Sequence, residues 1–110
     1  MPDATTAKIA ALNDHARQTF GECRVVITQG VSELGKCDVA YILDKVRKYK
    51  DFTPINDPYF EHDFGSIQFG ENTIFWKIDY YDHDLQMHSP DPSDPAVTTR
   101  ILTIMLAEEY

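Results

Sequence analysis

The fold of this chain is decided by residues 64–84, which read F-G-S-I-Q-F-G-E-N-T-I-F-W-K-I-D-Y-Y-D-H-D. This stretch contains the single tryptophan, Trp76, and its second half alternates in the period of two that marks a β-strand packed on a core. Gly70-Glu71-Asn72 separates two arms and is a short turn, because Gly and Asn accept a positive φ. We therefore predict a β-hairpin with a buried Trp76. Its predicted strands are 64–69 and 73–81.

Length and composition predict one domain, residues 1–110. Hydrophobic residues make up 43% and charged residues 25%, which is typical of a globular protein and excludes a disordered chain. Cys23 and Cys37 lack CxxC spacing, so we expect two reduced thiols, with a disulfide as the minor alternative. No apolar run is long enough to span a membrane, and the first residues lack a signal-peptide pattern. We expect a cytoplasmic protein without membrane contact or cofactor.

Two amphipathic helices are predicted in the first half of the chain. Apolar residues recur at spacings of three and four over 5–20, and Thr5 or Thr6 can cap this segment. Asp38 opens a second periodic segment over 38–49. The apolar stripe of the first helix is narrow, so we expect that helix to lie on one side of a sheet rather than to be buried all round. The second helix is predicted to cover the same sheet.

Two further strands complete an α+β prediction. Residues 24–29 are rich in β-branched side chains, which favours a strand covered on both faces, and 31–35 is expected to be a connection. At 97–107 two interpretations compete, since Asp94-Pro95 favours a helix start and the β-branched residues favour a strand. We predict the strand. The predicted antiparallel sheet of about four strands comprises 24–29, 64–69, 73–81 and 99–106.

The net charge of -8 is distributed unevenly along the chain. Residues 1–50 carry eight Lys or Arg against six Asp or Glu, whereas residues 51–110 carry two against twelve. The excess of carboxylates in the second half repels phosphates, so direct nucleic-acid binding is not expected there. The same charge suits a partner with a basic surface, and it also suits simple solvation.

One basic group stands out in the first half, at the end of the second predicted helix. Cations at a helix C-terminus stabilise the helix dipole, and a phosphate-binding patch is the alternative interpretation. The residues of this candidate patch are Lys45, Arg47, Lys48 and Lys50.

Carboxylates and imidazoles are dense at both ends of the hairpin, where antiparallel pairing could bring them together. The spacing matches neither a calcium loop nor an HExxH zinc motif, and loop Asp residues usually have turn and cap roles. We therefore predict no metal site and no catalytic residues. The weak metal candidates are His62, Asp63, Asp82, His83 and Asp84.

Four phrases in one order carry a family resemblance. They are N-D-P-Y-F-E-H-D-F-G (56–65), I-F-W-K-I-D-Y-Y-D (74–82), S-P-D-P-S-D-P (89–95) and T-T-R-I-L-T-I-M-L-A-E-E-Y (98–110). They resemble a bacterial family known as domain of unknown function 3768, whose members are small proteins often carried on plasmids, phages and other mobile elements. The resemblance implies a bacterial setting and supplies no catalytic residues.

Three functional hypotheses follow. The first is an acidic binding protein that docks on a basic protein surface, in the extreme case imitating DNA to inhibit a nucleic-acid-binding defence complex of the CRISPR or restriction type. The second is a metal-dependent hydrolase, and the third is a non-enzymatic accessory protein of a mobile element. The oligomeric state stays open. The interaction surface predicted by the first hypothesis comprises Asp57, Tyr59, Glu61, Asp63, Asp79, Tyr80, Tyr81, Asp82, Asp84, Asp91 and Asp94.

Overall fold

Helices pack against one face of a four-stranded sheet in the computed structural model, which describes residues 3–110. The predicted α+β class is confirmed. Residues 1 and 2 of the predicted domain lie outside the described residues. The elements are α1 Ala4–Thr19, β1 Arg24–Ile27, α2 Gln29–Ser32, α3 Lys36–Arg47, β2 Phe64–Phe69, β3 Asn72–Tyr81 and β4 Thr99–Leu106, with 3-10 turns at Pro95–Val97 and Ala107–Glu109.

The sheet has the order β1-β4-β3-β2. The β2–β3 and β3–β4 pairs are antiparallel, as predicted, and residues 99–106 form a strand rather than a helix. The β1–β4 pair is parallel, with Arg24 opposite Ile101 and Ile27 opposite Ile104. The sequence pattern did not predict this pairing. A parallel neighbour requires a long crossover, and here the crossover contains α2, α3 and the whole hairpin.

The hairpin has the predicted bounds to within one residue. Phe69 pairs with Asn72, so Asn72 belongs to β3 and the turn contains two residues, Gly70 and Glu71. Gly70 has a φ of 58°, a left-handed conformation that glycine adopts without a steric penalty. The predicted core face of β3 is buried along its length, and its residues are Ile74, Trp76, Ile78 and Tyr80.

Trp76 is the largest fully buried side chain. Its indole lies over Gly65 on the neighbouring strand, where an added Cβ would stand only 2.6 Å from Cε2. The rings of Tyr49 and Phe52 meet it edge-on at centroid distances of 5.4 and 6.1 Å. The Arg17 guanidinium lies 5.2 Å from the ring centroid. The core therefore joins the hairpin, α1 and the segment after α3 around one ring.

Helix boundaries differ from the predicted ones at both ends. The α1 helix begins at Ala4, and Asp3 caps it by accepting the Thr6 N–H at 2.7 Å, so the predicted threonine cap is wrong. The α3 helix spans Lys36–Arg47, which is shifted by two residues toward the N-terminus. The predicted connection at 31–35 begins inside the short α2. No helix within residues 3–110 is long and apolar enough to cross a membrane.

The prediction that the first strand is covered on both faces is wrong. Arg24 and Val26 point away from the helices and are exposed, while Val25 and Ile27 pack against the core. The helices cover only one face of the sheet, and β1 is an edge strand with one neighbour, β4. Its β-branched composition therefore reflects strand propensity rather than two-sided burial.

We predict that Trp76→Ala lowers the free energy of unfolding by about 3–5 kcal/mol, because a large buried side chain leaves a cavity that its neighbours cannot fill. Urea denaturation followed by far-UV circular dichroism measures this loss without relying on tryptophan fluorescence. Tyr59→Ala is the matched control, since Tyr59 is 77% exposed and should change stability little. A Trp76→Ala midpoint equal to that of the control would contradict a core centred on the hairpin.

Candidate functional site

A buried polar network fastens the loop before β2 to α1 and β3. Asn13 donates from Nδ2 to the Tyr80 hydroxyl at 2.8 Å and to the Glu61 carbonyl at 2.9 Å. Its Oδ1 accepts from Arg100 Nε at 2.7 Å. The Tyr80 hydroxyl in turn donates to Glu61 Oε1 at 2.8 Å. Glu61 is thus held in place by hydrogen bonds from α1 and β3.

His62 fastens the same loop at a second point. Its Nδ1 lies 3.0 Å from Asp14 Oδ1, and its Nε2 lies 3.6 Å from Asp57 Oδ2. The ring stacks on Phe52 with a centroid distance of 4.0 Å. Asp14 also accepts from Arg17 at 3.0 Å. The loop that carries Glu61 and its neighbours is therefore ordered by contacts on both sides of the imidazole.

Four acidic residues interact where this loop meets β3, and we call them the carboxylate cluster: Asp57, Glu61, Asp63 and Asp79. Burial raises the pKa of Asp63 from 3.8 to about 6, and the negative charges of Glu61, Asp57 and Asp79 add to the rise. Asp79 pairs with Lys77 at 2.8 Å. Beside the cluster is a cavity of 270 Å³ bordered by Asp63, Asp79, Tyr80, Tyr81 and His88.

Members of the predicted interaction surface have different environments. Asp57 and Tyr80 are only 4% and 8% exposed, so they act through internal contacts and offer little surface to a partner. Tyr59 is exposed, Asp84 is exposed, and Tyr81 is half-buried. The remaining three carboxylates accept backbone N–H groups in local turns: Asp82 from Gln86, Asp91 from Ser93 and Asp94 from Ala96. These three carboxylates therefore stabilise local turns and are not members of the cluster.

The two predicted halves of a metal site are engaged in other contacts. The Asp63 carbonyl accepts from the Ile78 N–H, so β3 continues for three residues beyond this point before Asp82 is reached. His83 contacts the Thr99 hydroxyl at 3.1 Å and the Ala96 carbonyl. Within residues 3–110 no group of three or more His, Cys, Asp or Glu side chains is placed to hold a metal ion.

The candidate basic patch divides in the structure. Lys45, Lys48 and Lys50 border a cavity of 360 Å³ together with Tyr41 and Tyr49. Arg47 lies elsewhere, with its guanidinium 4.4 Å from the centroid of the Phe20 ring. Lys48 pairs with Asp44 at 3.0 Å, and both side chains are exposed. Three of the four predicted residues therefore share one surface.

Three residues of the site were missed by the sequence prediction: Asn13, Arg17 and Arg100. Asn13 and Arg17 occupy the buried face of α1, one turn apart, where apolar residues were expected. The narrowness of the apolar stripe was the available signal, because a helix that covers a sheet needs a broader buried face. Arg100 lies on the same inward face of β4 as the apolar core residues. This position on the core face was the signal that could have identified it.

The chain belongs to a family described as "Protein of unknown function (DUF3768)", whose model matches residues 27–109. The resemblance seen in the sequence is thereby confirmed. The match begins at the end of β1 and includes the hairpin, the carboxylate cluster and β4. No curated protein and no solved structure matches the chain.

We predict that Asp63→Asn stabilises the protein at about pH 7.5 by on the order of 1 kcal/mol. The gain is smaller than the full pKa shift implies, because Asp63 is partly exposed and solvent screens its charge. The unfolded carboxyl ionises near pH 3.8 and the folded one near pH 6, so stability falls as the pH rises through this window. Below pH 3.8 the gain should disappear. Urea denaturation at both ends of the window tests this.

The matched control is Asp84→Asn, because Asp84 is an exposed carboxylate outside the carboxylate cluster. A pH-independent effect of Asp63→Asn, equal to that of the control, would mean that burial and charge repulsion in the cluster do not destabilise the ionised Asp63.

Proposed function

We propose that this member of the DUF3768 family is a small acidic binding protein that docks on a basic surface of another protein. One observation carries the proposal: the carboxylate cluster keeps Asp63 half-buried at a pKa of about 6. Negative charges brought together in this way repel one another and favour a nearby cation. A Lys or Arg side chain of a partner would relieve this repulsion, which contributes to the raised pKa of Asp63, and would be attracted by the cluster.

The surroundings of the cluster suit such a contact. The cavity of 270 Å³ beside Asp63 is open to a basic side chain, and Tyr81 and His88 form part of its wall. Tyr59 lies between Asp57 and Glu61 in the sequence and is exposed, which provides aromatic contact area of the kind that contributes most to interface affinity. The net charge of -8 raises the rate of encounter with a basic partner by electrostatic steering.

The specific form of the proposal is an inhibitor of a nucleic-acid-binding complex, of the anti-CRISPR or antirestriction type. A surface that is evolved to bind phosphates is rich in Lys and Arg, and it therefore attracts a small protein with this charge. This form includes a bacterial, mobile-element setting and a cytoplasmic location. Competition with DNA for the partner distinguishes it from docking on a basic surface of another kind.

Two alternatives have less support. A hydrolase that uses His62, Asp63 and the residues after β3 would need these side chains to meet at one site. Within the described residues, His62 instead contacts α1, and the residues after β3 bond to other partners. An accessory protein whose acidity serves solvation predicts no specific partner. The following experiment separates this last alternative from the proposal.

The test uses matched pairs of neutralising substitutions in a pull-down from bacterial lysate. The site pair is Asp63→Asn with Asp79→Asn, and the control pair is Glu33→Gln with Glu108→Gln, two exposed residues outside the cluster. Both pairs remove the same charge. We expect the site pair to weaken capture of a basic partner by about tenfold, the control pair to capture it as the parent does, and high salt to reduce capture by the parent.

Equal loss in both pairs would mean that net charge alone is responsible, and equal capture by all forms would place the interface elsewhere. Either result contradicts the proposed site. For the inhibitor form, the purified partner is titrated with DNA in the presence of the protein. Binding of DNA and of this protein at the same time would overturn that form while leaving the docking proposal in place.

A further inference from the structure

A second site is indicated by Arg100, a cation that is buried in the core without a counterion. It is only 4% exposed. Its Nε donates to Asn13 Oδ1 and its Nη2 donates to the Pro92 carbonyl, which are both uncharged acceptors. No ion pair involves Arg100 anywhere in residues 3–110. A buried charge without a counterion lowers the stability of the folded state. The groups around Arg100 therefore indicate which ligand could compensate for this loss.

The neighbouring acidic groups do not neutralise this cation. Tyr80 lies under the guanidinium, 5.3 Å from Cζ to the ring centroid, but burial raises the pKa of its phenol, which is neutral at ordinary pH. Burial likewise raises the pKa of the Cys23 thiol. The Glu61 carboxylate accepts a hydrogen bond from Tyr80 and attracts Arg100 without forming an ion pair with it in residues 3–110. The guanidinium therefore retains capacity for an anion.

Arg100 borders a cavity of 460 Å³ between α1 and the segment around Pro95. This volume falls within the range of about 300–1,000 Å³ that is typical of small-molecule sites. Leu12 and Ala16 line the cavity from α1, and Ala96 lines it from the opposite side. The wall is mixed: its apolar part consists of Leu12, Ala16, Pro95 and Ala96, and its polar part of His15, Glu22, Thr98 and Arg100. A charged group beside an apolar part of a cavity wall suits an amphiphilic ligand.

We propose that this cavity binds a small organic carboxylate, with Arg100 receiving the carboxylate group and Leu12, Ala16 and Ala96 contacting an apolar body. A planar guanidinium suits a carboxylate because it can donate two parallel N–H groups. Glu22 also borders the cavity, and its charge disfavours a ligand with two negative charges, such as a phosphate ester. No member of the carboxylate cluster borders this cavity, although Asn13 joins Arg100 to the Glu61 backbone. The proposal does not depend on the function proposed above.

The experiment titrates the nitrogen-15-labelled full chain with sodium 4-methylpentanoate at constant ionic strength and follows backbone amides by NMR. The neutral isostere 4-methylpentanamide and inorganic phosphate are titrated in parallel. We expect saturable shifts at Ala16 and Ala96, binding at least about tenfold weaker for the amide, and no saturable shift with phosphate. Absence of saturable shifts up to about 10 mM carboxylate, or equal binding of acid and amide, would overturn the proposal.

Two variants test the location without removing a core residue. Ala96→Trp fills the cavity from the exposed side, and Ala11→Trp places the same side chain on an exposed position of α1 that does not border it. We expect binding to weaken by about tenfold or more in Ala96→Trp and to be unchanged in Ala11→Trp. Equal binding in both tryptophan variants would contradict this cavity as the site.

Discussion

The packing of Trp76 between Gly65 and Arg17 is the constraint on which the rest of the structure depends. The indole needs a neighbour without a side chain, which fixes β2 beside β3 in one register. The Arg17 guanidinium, above the ring, donates to the carbonyls of Val46 and Arg47 and so satisfies the end of α3. One aromatic ring and one cation thus determine the relative placement of the hairpin and both long helices.

The polar part of the core positions the surface that we assign to binding. Asn13 connects α1, Tyr80 and Arg100, and the same contacts hold Glu61 in place. Buried polar groups stabilise little in net terms, but a connected hydrogen-bond network allows few alternative arrangements. The carboxylate cluster can therefore keep its repulsive geometry, because the loop that carries it is fixed from below rather than by its own charges.

Local patterns predicted the hairpin and β4 well, since a period of two and a glycine turn are encoded within a few residues. The turn roles of Asp82, Asp91 and Asp94 are equally local. Asn13 and Arg100 are 87 positions apart and meet only in the folded sheet, so no window of sequence contains their contact. The parallel partner of β1 could not be predicted for the same reason. The raised pKa of Asp63 likewise depends on residues of the loop before β2 and of β3 that meet only in the folded chain.

The position of β4 in the sheet has a consequence for how the chain folds. Among residues 3–110, the strand that pairs with residues 24–27 is formed by residues 101–104, near the other end of the sequence. A ribosome must therefore deliver the hairpin and nearly all of β4 before the earliest strand can pair. Contacts of such long sequence separation close slowly, and an unpaired apolar strand is exposed to other nascent chains in the meantime. The exposed Arg24 on this strand is a gatekeeper charge that opposes such association.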